Sequence, residues 1–233
     1  MLPLKDNVPT RHFPIITVGL IAGNVLTFLL YQEGGQGPGF IRSLNELAYH
    51  PCEVEGSCPQ VGEDWAPTAF TSMFMHAGWG HLLGNMLFLW IFGNNVEDTL
   101  GRVRFLVFYI LGGLAATAAQ TFVTLMFGTP GDATIPNLGA SGAISAVLGA
   151  YFVLVPQSKV LTLVLPFFIF PVPAWVFLGV YFLFQALIGG LSFMQPAGGG
   201  GVAYFAHIGG ILFGLLTVRL FAAGRPRPLR PTY

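Results

Sequence analysis

The chain has 233 residues and a formal net charge of zero; 54% of its residues are hydrophobic and only 9% are charged. Soluble domains carry roughly 25% charged residues, and mean hydropathy here is +0.69, which excludes an ordinary water-soluble domain and makes the lipid bilayer the expected partner. No basic excess marks a nucleic-acid surface, so no nucleic-acid partner is expected.

Phe13–Tyr31 is an uncharged stretch of 19 residues. At about 1.5 Å rise per residue it can cross a hydrocarbon core of ~30 Å. A cleaved signal peptide would have a shorter apolar region followed by small residues. Gln32-Glu33-Gly34-Gly35 follows instead, which favours an uncleaved first span. The next segment, about Gln32–Thr68, is long for a connection between packed helices. It is expected to carry its own structure, with a short helix over Gly39–Tyr49 lying at the membrane surface. Cys52 and Cys58 fall in it; they could pair in an oxidising compartment or remain free thiols. Five further apolar stretches follow, roughly Ala69–Phe92, Val103–Phe127, Leu138–Val155, Pro173–Phe193 and Tyr204–Phe221. Between the fourth and fifth, Val160–Phe170 is also apolar but interrupted by Pro166, with Pro171 and Pro173 just beyond. It reads as a buried or membrane-edge loop leading into the fifth helix. Gly198–Gly201 reads as a mobile loop over the outer face.

The expectation is therefore an all-α membrane protein of six transmembrane helices with a long outer first loop. Its parts are a cytoplasmic tail over residues 1–12, a membrane domain over 13–222 and a second cytoplasmic tail over 223–233. Lysine and arginine set the orientation. With both termini inside, nine of the ten basic residues fall on the inner side and only Arg42 lies outside.

Polar side chains within apolar spans mark function by default. Four matter here: His81, Asn85, Ser141 and His207. Ser141 lies in Gly139-Ala140-Ser141-Gly142 at the start of the fourth helix, where backbone amides lack intrahelical partners. Taken alone, such a motif is more often an N-cap or a small residue packing helices. Taken alone, His207 could equally be a structural histidine. Ser141, Ser145 and Gly149 share one face of helix four; His207, Gly210 and Gly214 share one face of helix six. Two small faces allow close approach, which would bring the imidazole to the hydroxyl as a Ser–His dyad. His81 and Asn85, four apart, point the same way and can both donate hydrogen bonds to a developing oxyanion. They could also be a polar pair tying helix two to the loops. His76, His81 and His207 could converge on zinc, but His76 and His81 are off one helical face and no carboxylate completes a set, so no metal or other cofactor is expected. His76 is expected to hydrogen-bond the first loop. Glu97 with Gly101 is expected to close the turn after helix two, and Trp65, Trp79 and Trp175 to anchor at the interface. Gln120 and Gln185 read as glue between helices.

The ordered set His81-x-x-x-Asn85, Glu97-x-x-x-Gly101, Gly139-x-Ser141-Gly142 and Ala206-His207-x-x-Gly210-x-x-x-Gly214 resembles the rhomboid family of intramembrane serine proteases. The resemblance runs over roughly residues 69–216. It implies a six-helix core with a short central fourth helix and a water-filled cavity open to the outside. It makes Ser141 the nucleophile and His207 the general base, with His81, Asn85 and the Ser141 amide as the oxyanion hole. The implied substrates are single-span membrane proteins, cut at a helix-destabilised site, and the expected location is a bacterial inner membrane. Two departures stand out. Trp65-Ala66-Pro67-Thr68 lacks the arginine of a Trp-Arg pair that some members carry before helix two, and Ser145 replaces an aromatic residue that stacks on the histidine. The rival readings are a non-catalytic rhomboid-like protein that binds membrane helices, and a transporter or channel. The latter would call for charged intramembrane residues or paired broken helices.

Overall fold

The computed structural model describes residues 1–58, 64–164, 168–193 and 203–232. The Gly198–Gly201 run and Pro166 lie outside them.

The chain opens with a strand, β1 (Leu2–Asp6), where a tail was expected. Helix α1 (Ile15–Leu26) runs on through a π-helical turn to Tyr31. The first loop carries α2 (Gly37–Glu46) and a 3-10 turn at Pro51–Glu55, and Cys52 and Cys58 are disulfide-bonded. The apolar run Ala69–Phe92 is not one helix. It divides into α3 (Trp65–Thr71), a 3-10 turn at Ser72–Phe74, an extended segment, and α4 (Trp79–Phe88). The break is held by Gln32, whose side chain bonds both the amide (2.8 Å) and the carbonyl (3.0 Å) of His76. A π-helical turn at Leu89–Gly93 joins α4 to α5 (Asn94–Leu100). Then come α6 (Arg102–Phe127), the single turn α7 (Pro130–Ala133) and α8 (Ser141–Leu154).

The all-α expectation fails at Val160–Phe170. In place of a loop, β2 (Lys159–Val164) and β3 (Phe168–Pro173) form an antiparallel pair, and β1 adds to the other edge of β2. The prolines fall on the two edge strands, Pro3 on β1 and Pro171 and Pro173 on β3, while the central β2 has none, as a short sheet allows. The last two helices are α9 (Ala174–Phe193) and α10 (Tyr204–Phe221).

The molecule is a mostly helical membrane protein. Among the described residues, three helices are long and apolar enough to cross a bilayer: Arg102–Phe127, Ala174–Leu191 and Tyr204–Phe221. Ile15–Tyr31 and Ser141–Leu154 are shorter apolar helices. Helix α8 is the axis of the fold, with every residue from Gly142 to Tyr151 buried. Small residues let its neighbours close on it. A Cβ on Gly210 would sit 2.2 Å from the Gly142 carbonyl oxygen, and one on Gly214 would sit 2.1 Å from that of Ala146. From the other side, a Cβ on Gly112 would meet Ala146 Cβ at 2.5 Å. Without Cβ atoms, α10 approaches α8 backbone to backbone and α6 closes on its alanine side chains, the packing mode that serves helices in lipid.

Candidate functional site

Ser141 is the first residue of α8, following Gly139, whose φ of 126° lies in the region open to glycine. The turn before it is held from the first loop and from the break in the second apolar run. Gly139 N–H donates to Ser72 O at 2.9 Å, and Tyr49 and Asn137 exchange backbone bonds of 3.2 and 2.7 Å. The Tyr49 hydroxyl also bonds Thr121 Oγ1 at 2.8 Å. These bonds brace the loop that the missing Trp-Arg pair left in question.

His207 lies in the first turn of α10, whose start is held by Gln120: Ala206 N–H donates to Gln120 Oε1 at 3.2 Å. Gly210 and Gly214, on the same face, set how closely that turn approaches α8. The result is His207 Nε2 at 2.8 Å from Ser141 Oγ. Both residues are half-buried.

The Rhomboid domain family model matches residues 64–224. The chain belongs to the rhomboid family. Among relatives of this rhomboid, the Danio rerio presenilin-associated rhomboid-like protein A, mitochondrial, is 34% identical over 62% of this chain and 34% of that protein. The Homo sapiens presenilin-associated rhomboid-like protein, mitochondrial, is 28% identical over 84% of this chain and 46% of that protein. The Saccharomyces cerevisiae rhomboid protein 1, mitochondrial, is 33% identical over 62% of this chain and 39% of that protein. The chain thus spans between about a third and a half of the length of these relatives. Their names refer to mitochondria, so they lend no support to a bacterial inner membrane.

His81 lies beside the same site in this rhomboid, and Asn85 is held behind it through His76. The His81 ring packs on Gly139: a Cβ there would lie 2.7 Å from Cε1 and 2.9 Å from Nε2 of His81, and 3.6 Å from Ser141 Oγ. Ala77 N–H faces His81 Nδ1 at 3.4 Å. With Nδ1 as acceptor, Nε2 carries the proton and is the donor on the Gly139 side. Asn85 is buried, and its Nδ2 donates to His76 Nε2 at 2.9 Å, leaving a second N–H on the amide. His76 therefore meets the first loop through its backbone, while its side chain holds Asn85.

Three other side chains keep their sequence reading and gain named partners. Glu97 closes the turn through its carbonyl, which accepts from Gly101 N–H at 2.7 Å. Its carboxylate also caps α1, accepting from the Ile16 and Thr17 amides (3.0 and 2.8 Å) and the Thr17 hydroxyl. Gln120 is a helix cap. Gln185, on α9, faces His207: its Oε1 is 2.9 Å from His207 Nδ1. The available signal was a lone amide in an apolar helix, but sequence alone did not say which helix it faced.

Proposed function

We propose that this rhomboid is an intramembrane serine endopeptidase that cuts single-span membrane proteins with a Ser141–His207 dyad. The observation that carries the reading is the 2.8 Å contact between His207 Nε2 and Ser141 Oγ. A hydroxyl bonded to a neutral imidazole is the minimal activated nucleophile. Ser141 Oγ attacks the scissile carbonyl while His207 takes its proton. His81 Nε2–H, the free Asn85 N–H and the Ser141 amide stabilise the oxyanion. His207 then protonates the leaving amine, and a water activated by the same imidazole releases the acyl-enzyme.

The wider reading has six spans, with the spans beyond the three long helices supplied by Ile15–Tyr31, α4 to α5, and α8. Both termini face the cytoplasm or its equivalent, as the distribution of basic residues favours. The outer side then carries the Cys52–Cys58 bond, as an oxidising compartment would allow. A peptide in an intact helix has its carbonyl already bonded, so substrate unwinds locally before it is cut.

The test is purified protein in liposomes with a single-span reporter, comparing wild type with Ser141→Ala and His207→Ala. The proposal expects a specific cut by wild type alone. Reporter that is bound but left uncut by all three would favour the non-catalytic, helix-binding reading.

A further inference from the structure

Gln185 is 7% exposed, and its Oε1 lies 2.9 Å from His207 Nδ1, the nitrogen remote from the nucleophile. The two ring nitrogens are not equivalent in use. His207 can act as a base toward Ser141 only if Nε2 carries the lone pair and Nδ1 the proton. Among the described residues no carboxylate bonds His207, so something neutral must select that tautomer. The hydroxyl of Tyr181, one helical turn before Gln185 on α9, lies beside both the Gln185 amide and Ser145. Ser145 Oγ is buried and makes no well-formed hydrogen bond, so Tyr181 is the group within its reach.

We propose that Gln185 is the positioning residue for this dyad: its Oε1 accepts the Nδ1 proton of His207, and Tyr181 holds the amide so that Oε1 faces the imidazole. This rests on the protease reading above. Tyr181 and Gln185 share one face of α9 at a spacing of four. That face thereby supplies the hold on the histidine that the aromatic residue replaced by Ser145 would otherwise give. If the amide were reversed, its N–H would donate to Nδ1. The proton would move to Nε2 and point at Ser141 Oγ, and the imidazole could no longer take the hydroxyl proton. The geometry therefore links a glutamine on one helix to the reactivity of a serine on another through a single tautomer.

The test reads the tautomer and the rate separately. Protein labelled with 15N-histidine is examined by two-bond 15N–1H correlation in micelles, with His207 assigned by its loss in His207→Ala. Wild type is expected to show Nδ1 protonated, and Gln185→Leu a mixture or the other tautomer. In the cleavage assay, Gln185→Leu is expected to lose roughly 10- to 100-fold in kcat with KM within about twofold, short of the full ~10²–10⁴ of general-base catalysis. Gln185→Glu, which keeps an acceptor at the same reach, is expected to recover most of that loss, and Tyr181→Phe to lose less than Gln185→Leu. A role limited to tying α9 to α10 would lower the thermal midpoint without altering the tautomer or splitting kcat from KM. Nε2 protonated in wild type, or Gln185→Leu matching wild type in both readouts, overturns the proposal. Nδ1 protonated in a protein that cuts nothing would uphold the Gln185 contact and remove the protease reading instead.

Discussion

Gly139 carries two demands at once: a φ of 126° and the close approach of the His81 ring. Gly139→Ala would strain the backbone and push the imidazole off the oxyanion side. It is expected to cut kcat at least about 10²-fold while the protein remains folded, as read by cleavage rate and thermal unfolding together. On the proposed mechanism, Asn85→Ala removes one oxyanion donor, the amide N–H that is not bonded to His76. A fall on the order of 10²–10³ in kcat with little change in KM is expected in the same assay. The proposed reacting groups were legible in sequence for one reason: in a chain so poor in charge, Ser141, His207, His81 and Asn85 stand out inside apolar runs. Gln185 stood out equally. Its role depends on which helix α9 faces, and spacing along one chain does not carry that information.

Small residues set the distance between helices and hence the length of the Ser141–His207 contact. Gly214→Ala would bring a Cβ to 2.1 Å from the Ala146 carbonyl oxygen, so α10 must move away from α8. A loss of roughly 1–3 kcal/mol is expected from such overpacking, visible as a lower thermal midpoint in detergent. Activity should fall further than stability, because the displacement lies on the face that carries His207. The boundaries of α10 follow its hydropathy closely, since Tyr204–Phe221 has no competing partner in sequence. The second apolar run misled because hydropathy does not register a backbone break. Ala69–Phe92 is continuous in composition, yet Gln32 fixes His76 in an extended segment within it. The hairpin misled differently. A short apolar run fits strand or helix equally well, and the strand that completes this sheet lies at residues 2–6.

At the scale of the molecule, one end is closed by the two chain termini. Arg11 pairs with Asp98 at 3.2 Å and donates to the Arg227 carbonyl, and Thr232 N–H donates to the Asn7 carbonyl. Within this end Asp6 is buried, with Oδ2 accepting from Asn95 Nδ2 at 2.6 Å and from the Tyr151 hydroxyl at 2.7 Å. Burial pushes the Asp6 carboxyl up from 3.8 to about 6, against the lowering effect of the Tyr151 bond. A folded pKa above the unfolded value means that the folded state binds the proton more tightly. The associated stability is therefore full below about pH 4 and lost as pH rises through about 6. Its size is on the order of 3 kcal/mol. Other carboxylates also titrate on this path, so the informative quantity is the difference between variants. From pH 4.5 to 7, wild type is expected to lose more thermal midpoint than Asp6→Asn, and equal losses would remove this account of β1. Tyr151 belongs to α8, so the strand at the start of the chain is fastened to the far end of the helix that begins with Ser141.

The most direct measurement of the central claim is covalent labelling of the folded protein in detergent by a fluorophosphonate, which reports an activated serine without requiring the natural substrate. Modification at Ser141 in wild type, absent in Ser141→Ala and abolished or slowed at least about 10²-fold in His207→Ala, is the result expected of a hydroxyl whose proton the imidazole takes. Labelling of His207→Ala at the wild-type rate, or no labelling of Ser141 in folded wild type, would contradict it.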